Sequence, residues 1–476
     1  MDPSDSDAFG SVTFIWRMLG LPQDALNSLH VPLDVECLPS SFKVDVLAQS
    51  TIASSALAAA LFWSVRNASP IPQVTVPAEH ACVEFKSERL YAVNGKSAFP
   101  PWDSIGGFHK TADGYVRIHD SFPNHRWNAL HVLGLPLDAS KEEVAQKVLQ
   151  WRAVELEAEA LRCGAVIAAL RSLEQWDALA QARAIADFPI LMKRIAKSES
   201  YMPPTPITKA VNKCLQGVRV VEMSRVIAAP VAGKTLAAHG ADVIWITSPS
   251  LPDLPDLDID LSRGKRTVQV DVKKAEHKAK LLDLLSTADV FLQSYRPGSL
   301  AAQGLSAEEL TNANPKLIVA NLSAYGPDGP WSKNRGFDSL VQTCSGINVA
   351  EAERYDADEP MRVLPCQAFD HGAGYLLATG IIAALYKRAI DGGAYEINVS
   401  LAGVMKYMRS LGRYDSKTGF ERKDFKKPED VKQYLELRQT HFGSLEAVKH
   451  AAHIEGLSVG WDIMPKQLGS DTACWR

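Results

Sequence analysis

The chain has no cysteine pairing to read: Cys37, Cys82, Cys163, Cys214, Cys344, Cys366 and Cys474 are odd in number, scattered, and show no C-x-x-C spacing. This argues against a disulfide framework and a zinc site, so no metal is expected, and a reducing, cytoplasmic setting fits best. Charge of one sign is not in excess either. The formal net charge is −4 over 476 residues, so no basic field gathers nucleic acid or an anionic membrane. No run approaches the roughly 20 apolar residues of a membrane span, and the apolar segment 51–63 reads as a buried helix. The N-terminus has no basic stretch leading into an apolar one, and Ala-Cys-Trp-Arg at the end is not a peroxisomal address. A dinucleotide fingerprint is absent too. Where G-x-G-x-x-G would follow a first strand stands Ser224-Arg-Val-Ile-Ala-Ala-Pro230, which argues against a nicotinamide dehydrogenase.

What is present supports packed cores: 46% of residues are hydrophobic and 22% charged. The length corresponds to about two to four domains. Between positions 217 and 323, β-rich segments at 218–222, 241–246, 267–272, 289–292 and 317–322 alternate with helical patterns such as 231–239 and 275–285. Such alternation predicts a parallel sheet covered on both faces, a Rossmann-like domain. Upstream, Ser200, Pro203, Pro204 and Pro206 mark 198–216 as a semi-rigid connection.

Asp370 carries the most information. It interrupts an apolar stretch just before small residues that read as the start of a buried helix. A helix N-terminus, with unpaired N–H groups and a positive dipole end, can hold a carboxylate ionised in a dry place. The residue type fits two roles: an N-cap, worth roughly 0.5–2 kcal/mol over Ala, or a nucleophile. Gly372 and Gly374 leave no side chain in the way, and substrate access is the simpler reading of them. His371 projects about 100° away around a helix, which suits a cap or packing residue.

Around Asp370 a series of blocks stands in order: Gly217-Val-Arg-Val-Val-Glu-Met-Ser-Arg-Val-Ile-Ala-Ala-Pro230, His239-Gly-Ala-Asp-Val-Ile244, Arg263-Gly-Lys-Arg-Thr-Val-Gln-Val-Asp271, Ala288-Asp-Val-Phe-Leu-Gln-Ser-Tyr-Arg-Pro-Gly298, Asn314-Pro-Lys-Leu-Ile318, Tyr325-Gly-Pro-Asp-Gly-Pro330 and Gly336-Phe-Asp338. In order and spacing, 217–400 resembles the large domain of the family III CoA-transferases, which include formyl-CoA transferase, carnitine CoA-transferase and 2-methylacyl-CoA racemases. The run Gly107-Phe-His-Lys-Thr-Ala-Asp-Gly-Tyr-Val-Arg-Ile-His119 and the helical stretch 141–170 resemble the family's small domain. Segments 58–61, 73–77 and 85–90 resemble the stretch after the nucleophile helix, in a first, incomplete copy. Aligning Ala59-Ala-Leu61 on Ala383-Ala-Leu385 sets Val46 opposite Asp370, with Asp45 one position off, so one nucleophile is counted.

The resemblance implies an α/β fold: a Rossmann-like parallel-sheet large domain of the family III type plus a smaller α+β domain. The expected organisation is a partial first unit at 1–100, a small-domain-like region at 101–200, a Pro-containing linker at 201–216, the large domain at 217–410 and a tail with a small-domain remnant at 411–476. It also implies CoA transfer between carboxylic acids through an aspartyl anhydride and thioester on Asp370, with N–H groups of 371–374 stabilising oxyanions. Lys265 is then expected at a CoA phosphate, Val226 and Ala228 on the adenine side, and Ser294, Tyr295 and Arg296 beside the nucleotide. Acyl-CoA and a carboxylic acid would be the partners, with no tightly bound cofactor, in a homodimer.

Several positions depart from the family. Ile227 replaces a Gln, 246–249 lacks a phosphate-binding Arg, Ala302 replaces another Arg, and Ser323 replaces a Lys. Lys333, Arg335 or residues of the other unit are the expected compensation. Phe337 stands where the racemase branch has His. Two alternatives stay open: an acyl-CoA racemase, epimerase or lyase of the same fold, or a degenerate binding or scaffold protein.

Overall fold

The computed structural model describes residues 7–97, 104–203 and 212–476. Part of the expected Pro-containing connection, 204–211 with Pro204 and Pro206, lies outside the described residues.

The architecture is α/β around one seven-stranded sheet: β1 (Leu191–Ala196), β2 (Arg219–Met223), β3 (Asp242–Thr247), β4 (Lys265–Gln269), β5 (Val290–Gln293), β6 (Ile318–Ser323) and β7 (Ala394–Ser400). Its order is β4-β3-β2-β5-β6-β7-β1. All neighbours are parallel except β7 and β1. Alternation along each strand serves two cores. Val220, Val243 and Leu292 face the main core, while Val221, Ile244 and Phe291 face a second core with Leu281 and Leu285 of the helix Ala275–Thr287. The fourth strand begins at Lys265, two residues before the expected 267, because buried ion pairs carry two cations into it where apolar periodicity shows nothing.

On the main core face lie α1 (Val44–Asn67), α2 (Ala228–Ala238), α3 (Asp338–Cys344) and α4 (Ala368–Asp391). α1 and α4 have 24 residues each and begin after residues of nearly equal backbone angle, Lys43 at φ −77°, ψ 61° and Gln367 at φ −77°, ψ 66°. They pack against each other. Matching their starts puts Val46 opposite Asp370, Leu47 opposite His371 and Arg89 opposite Arg413. By length and composition both could cross a membrane, yet 89% and 100% of their most apolar windows are buried in the fold. The apolar segment 51–63 thus belongs to a longer core helix.

A separate α+β region pairs Gly107–Lys110, Tyr115–Ile118 and Ile167–Ala169 in an antiparallel sheet under the helices Pro123–Leu133, Lys141–Val148 and Ala153–Cys163. The C-terminal hairpin Leu435–Thr440 and Gly443–Val448 joins Ala92–Val93 and Lys96–Ser97 of the N-terminal unit in one sheet. The remaining tail covers the β4 edge. Gly264 N–H donates to Ile463 O at 2.8 Å, Thr267 N–H donates to the Asp471 carboxylate at 2.8 Å, and Trp461 lies 4.0 Å over Arg263. An edge strand so covered offers no free ladder to another chain.

Candidate active site

In a doubly wound sheet, the strand order reverses at one point and leaves a crevice at the carboxyl ends of the strands there. Here that point lies between β2 and β5. The residues leaving those strands are 224–226 and 294–296. All of them but Ser224 line a cleft of about 320 Å³, with Val226, Ala228, Ser294, Tyr295 and Arg296 on its wall. Val226 holds φ at 69°, a conformation that costs a β-branched residue on the order of 1–3 kcal/mol and bends the backbone at the cleft wall. Arg225, Arg296 and Arg335 line the same cleft. Among the described residues, no carboxylate lies within ion-pair distance of these three. Arg225 donates to Pro252 O and stacks 4.4 Å over Phe122. Burial, then the charge of Arg296, lowers the proton affinity of Arg335.

Asp370 lines this cleft and also a second cavity of about 410 Å³. The second cavity has an apolar side, with Ile227, Leu254, Leu257 and Phe337, and a charged side, with Lys86, Glu88 and Arg89 of the N-terminal unit. Asp424 and Lys426 of the C-terminal region complete it. His119 also lines it, stacked on Phe337 with ring centroids 3.9 Å apart. Burial, aided by His125 and Arg117, pushes the His119 imidazole down to about 3, so it is neutral.

Asp370 is the third residue of α4 and does not cap it. The cap is Asp338, at the start of α3, whose Oδ2 accepts from Phe369 N at 2.7 Å and Asp370 N at 3.0 Å. Burial raises the Asp338 carboxyl to about 6 against the pull of Gln342 and those N–H groups. Burial is also the first cause at Asp370. The carboxylates of Asp338 and Glu88 then act in the same direction, and its pKa rises well above the ordinary value. His371, fully buried, meets Glu88 with Nε2 to Oε2 at 2.9 Å and stacks on Phe85. Burial opposes ionisation of Glu88, but Arg89 and His371 outweigh it and hold its carboxyl far below the usual range.

Three expectations fail here for physical reasons. Lys265 does not reach the cleft: its ammonium is 2.9 Å from Glu222 and 2.7 Å from Pro230 O, at 1% residue exposure. A lysine so paired cannot also reach a phosphate outside. The N–H groups expected to hold oxyanions are committed within the helix, as His371 N–H is to Gln367 O at 3.1 Å. Gly372 and Gly374 serve packing instead of access. A Cβ at 372 would lie 3.0 Å from Val404 and 3.3 Å from Leu47, and one at 374 would lie 2.6 Å from Ala228 O. Of the two expected compensating cations, Arg335 lines the cleft and Lys333 does not. Glu88, Arg89 and the capping role of Asp338 were missed; a carboxylate followed by small residues identifies one member of the site but not partners far away in the chain.

Fold and site together define a doubly wound α/β protein with a cationic cleft at its switch point and a buried carboxyl at the cleft floor. Residues 215–424 match the model of CoA-transferase family III. An acyl-CoA transferase of Gibberella moniliformis is 27% identical, over 77% of this chain and 71% of its own length. A probable fatty acyl-CoA transferase of Mycobacterium tuberculosis is 33% identical over 40% of this chain and 51% of its own. A formyl-CoA:oxalate CoA-transferase of Rhodopseudomonas palustris is 32% identical over 42% of this chain and 49% of its own. The chain thus spans about half the length of the latter two relatives.

Proposed function

We propose that this protein moves CoA between carboxylic acids, with Asp370 as the nucleophile. The observation that carries this is the position of Asp370 on the walls of both the arginine-lined cleft and the second cavity. The cleft suits the phosphates of CoA, which Arg225, Arg296 and Arg335 would meet by charge-assisted hydrogen bonds. The second cavity suits the acyl group and the acceptor acid.

In this reading the Asp370 carboxylate attacks the thioester carbonyl, the C–S bond breaks, and CoA leaves as thiolate with an acyl-aspartyl anhydride formed. The thiolate attacks the aspartyl carbonyl of the anhydride and releases the donor acid. The acceptor carboxylate then attacks the aspartyl-CoA thioester, and the thiolate finally takes the new acyl group, restoring Asp370. Burial and two neighbouring carboxylates make the Asp370 carboxylate basic, hence a strong nucleophile once its proton is gone. The three arginines on the cleft wall favour this reading over the scaffold alternative, which rested on missing cations. Phe337 holds no proton where a racemase would need one.

The partners in this proposal are acyl-CoA and a carboxylic acid, in the cytoplasm, with a homodimer to be checked by sedimentation. The test is CoA transfer by wild type and Asp370→Ala, with CoA binding followed by calorimetry. The expected result is binding by both and transfer by wild type alone. Transfer by the variant at the wild-type rate would overturn the assignment.

A further inference from the structure

The contacts of Glu88 are unusual for a residue of the N-terminal unit. It sits in a single tight turn, Ser87–Arg89, buried to 4% exposure, and binds the residue after Asp370 through His371 Nε2 at 2.9 Å. Arg89 Nε donates to its other oxygen at 2.8 Å. Matching α1 to α4 along the chain sets Asp370 against Val46, His371 against Leu47 and Glu88 against Gly412, while Arg89 meets Arg413. All three acid–imidazole members are therefore present at one end of the helix pair and absent together at the other. The arginine is kept at both, and Arg413 there binds Ser41 at 2.7 Å and Ala350 O at 2.7 Å. A purely packing role gives no reason for the three to be lost as a set.

We propose that Glu88 is a positioning residue for Asp370: through His371 it fixes the first turn of the nucleophile helix, and it keeps a negative charge on the wall of the cavity Asp370 faces. This rests on the reading of Asp370 given above. Asp370 is faced by Asp338 from α3, by Glu88 and Arg89 from the turn 87–89, and by Lys86 and His119. Asp424 and Lys426 face it from the C-terminal region. Of these, Asp338 and Glu88 both favour its protonated form.

Two variants separate position from charge. Glu88→Gln keeps shape and removes charge; His371→Asn removes the anchor and leaves the Glu88 charge. The readouts are the titration of the Asp370 carboxyl by 13C NMR, assigned with Asp370→Asn, and the split of kcat and KM for CoA transfer. Glu88→Gln is expected to lower the proton affinity of Asp370 about tenfold or more, one pKa unit. His371→Asn is expected to lower kcat about a hundredfold, with KM for acyl-CoA unchanged and the Asp370 titration still high. An unchanged titration in Glu88→Gln, or an unchanged kcat in His371→Asn, would overturn the proposal. A wild type without transfer would remove the reading of function, whereas the NMR arm would still decide the charge effect of Glu88.

Discussion

The starts of α1 and α4 are the same piece of backbone put to different use. Both helices run 24 residues from near-identical preceding conformations and bury an acid in the first turn, Asp45 in one and Asp370 in the other. Asp45 is answered: Arg422 pairs with one oxygen and Tyr414 donates to the other at 2.7 Å. Burial raises its pKa, but those two partners pull it back. Among the described residues no cation pairs with Asp370, although Lys86, Arg89 and Lys426 share its cavity; burial, Asp338 and Glu88 all push one way. An acid that is neutralised by partners becomes structure, whereas one left under tension is available for chemistry.

The largest effect is expected from removing the acid under tension. Asp370→Asn should cut CoA transfer by about a thousandfold or more, measured with any acyl-CoA donor the wild type accepts, while Asp45→Asn leaves transfer within a few-fold of wild type. The same variant should alter the pH dependence of stability. A carboxyl whose folded pKa is raised stabilises the fold while protonated and loses that contribution as pH rises through the folded value. Asp370→Asn should therefore lose less Tm than wild type between acid and mildly alkaline pH. Transfer itself should rise with pH along a limb above the ordinary carboxylate range, because burial pushes the Asp338 carboxyl up to about 6 and burial, Asp338 and Glu88 raise Asp370 well above its ordinary value.

At the other helix start the sign is reversed. Arg422→Met leaves Asp45 buried without its counter-charge and should cost about 3–5 kcal/mol in urea unfolding. Adding Asp45→Asn should recover most of that loss, a coupling that a double-mutant cycle reads directly. A smaller contrast lies one turn on. Gly372 and Gly374 stand opposite Ala48 and Ser50, so the α1 side accepts side chains where α4 does not. Gly374→Ala places a Cβ 2.6 Å from Ala228 O and should cost about 1–3 kcal/mol, while Ser50→Ala changes stability little.

The strands β2, β3, β5 and β6, the helix Ala275–Thr287 and the Asp370 helix could be read from alternation and periodicity, because each makes a local apolar pattern. β7 and β1 could not. Glu396 and Asn398 interrupt the first, and the second pairs antiparallel with it from far upstream. The cleft residues Val226, Ala228, Ser294, Tyr295 and Arg296 were expected from the family resemblance alone, and the sheet order shows why they share one cleft: they lie just past strands whose ends meet at the switch point. Lys265 was misplaced because a basic residue at a strand start looks the same whether it faces solvent or a buried Glu222. Glu88 was missed because its partner is 283 positions away. The C-terminal tail gave no signal, since its pairing with the β4 edge and with Ala92–Val93 depends on tertiary neighbours alone.

The central claim, that one of the two helix starts carries the nucleophile, is tested most directly by trapping. Wild-type protein incubated with acyl-CoA and hydroxylamine should yield a hydroxamate on Asp370 and none on Asp45, located by peptide mass mapping. A hydroxamate on Asp45, or CoA transfer that proceeds with Asp370 never modified, would contradict the account.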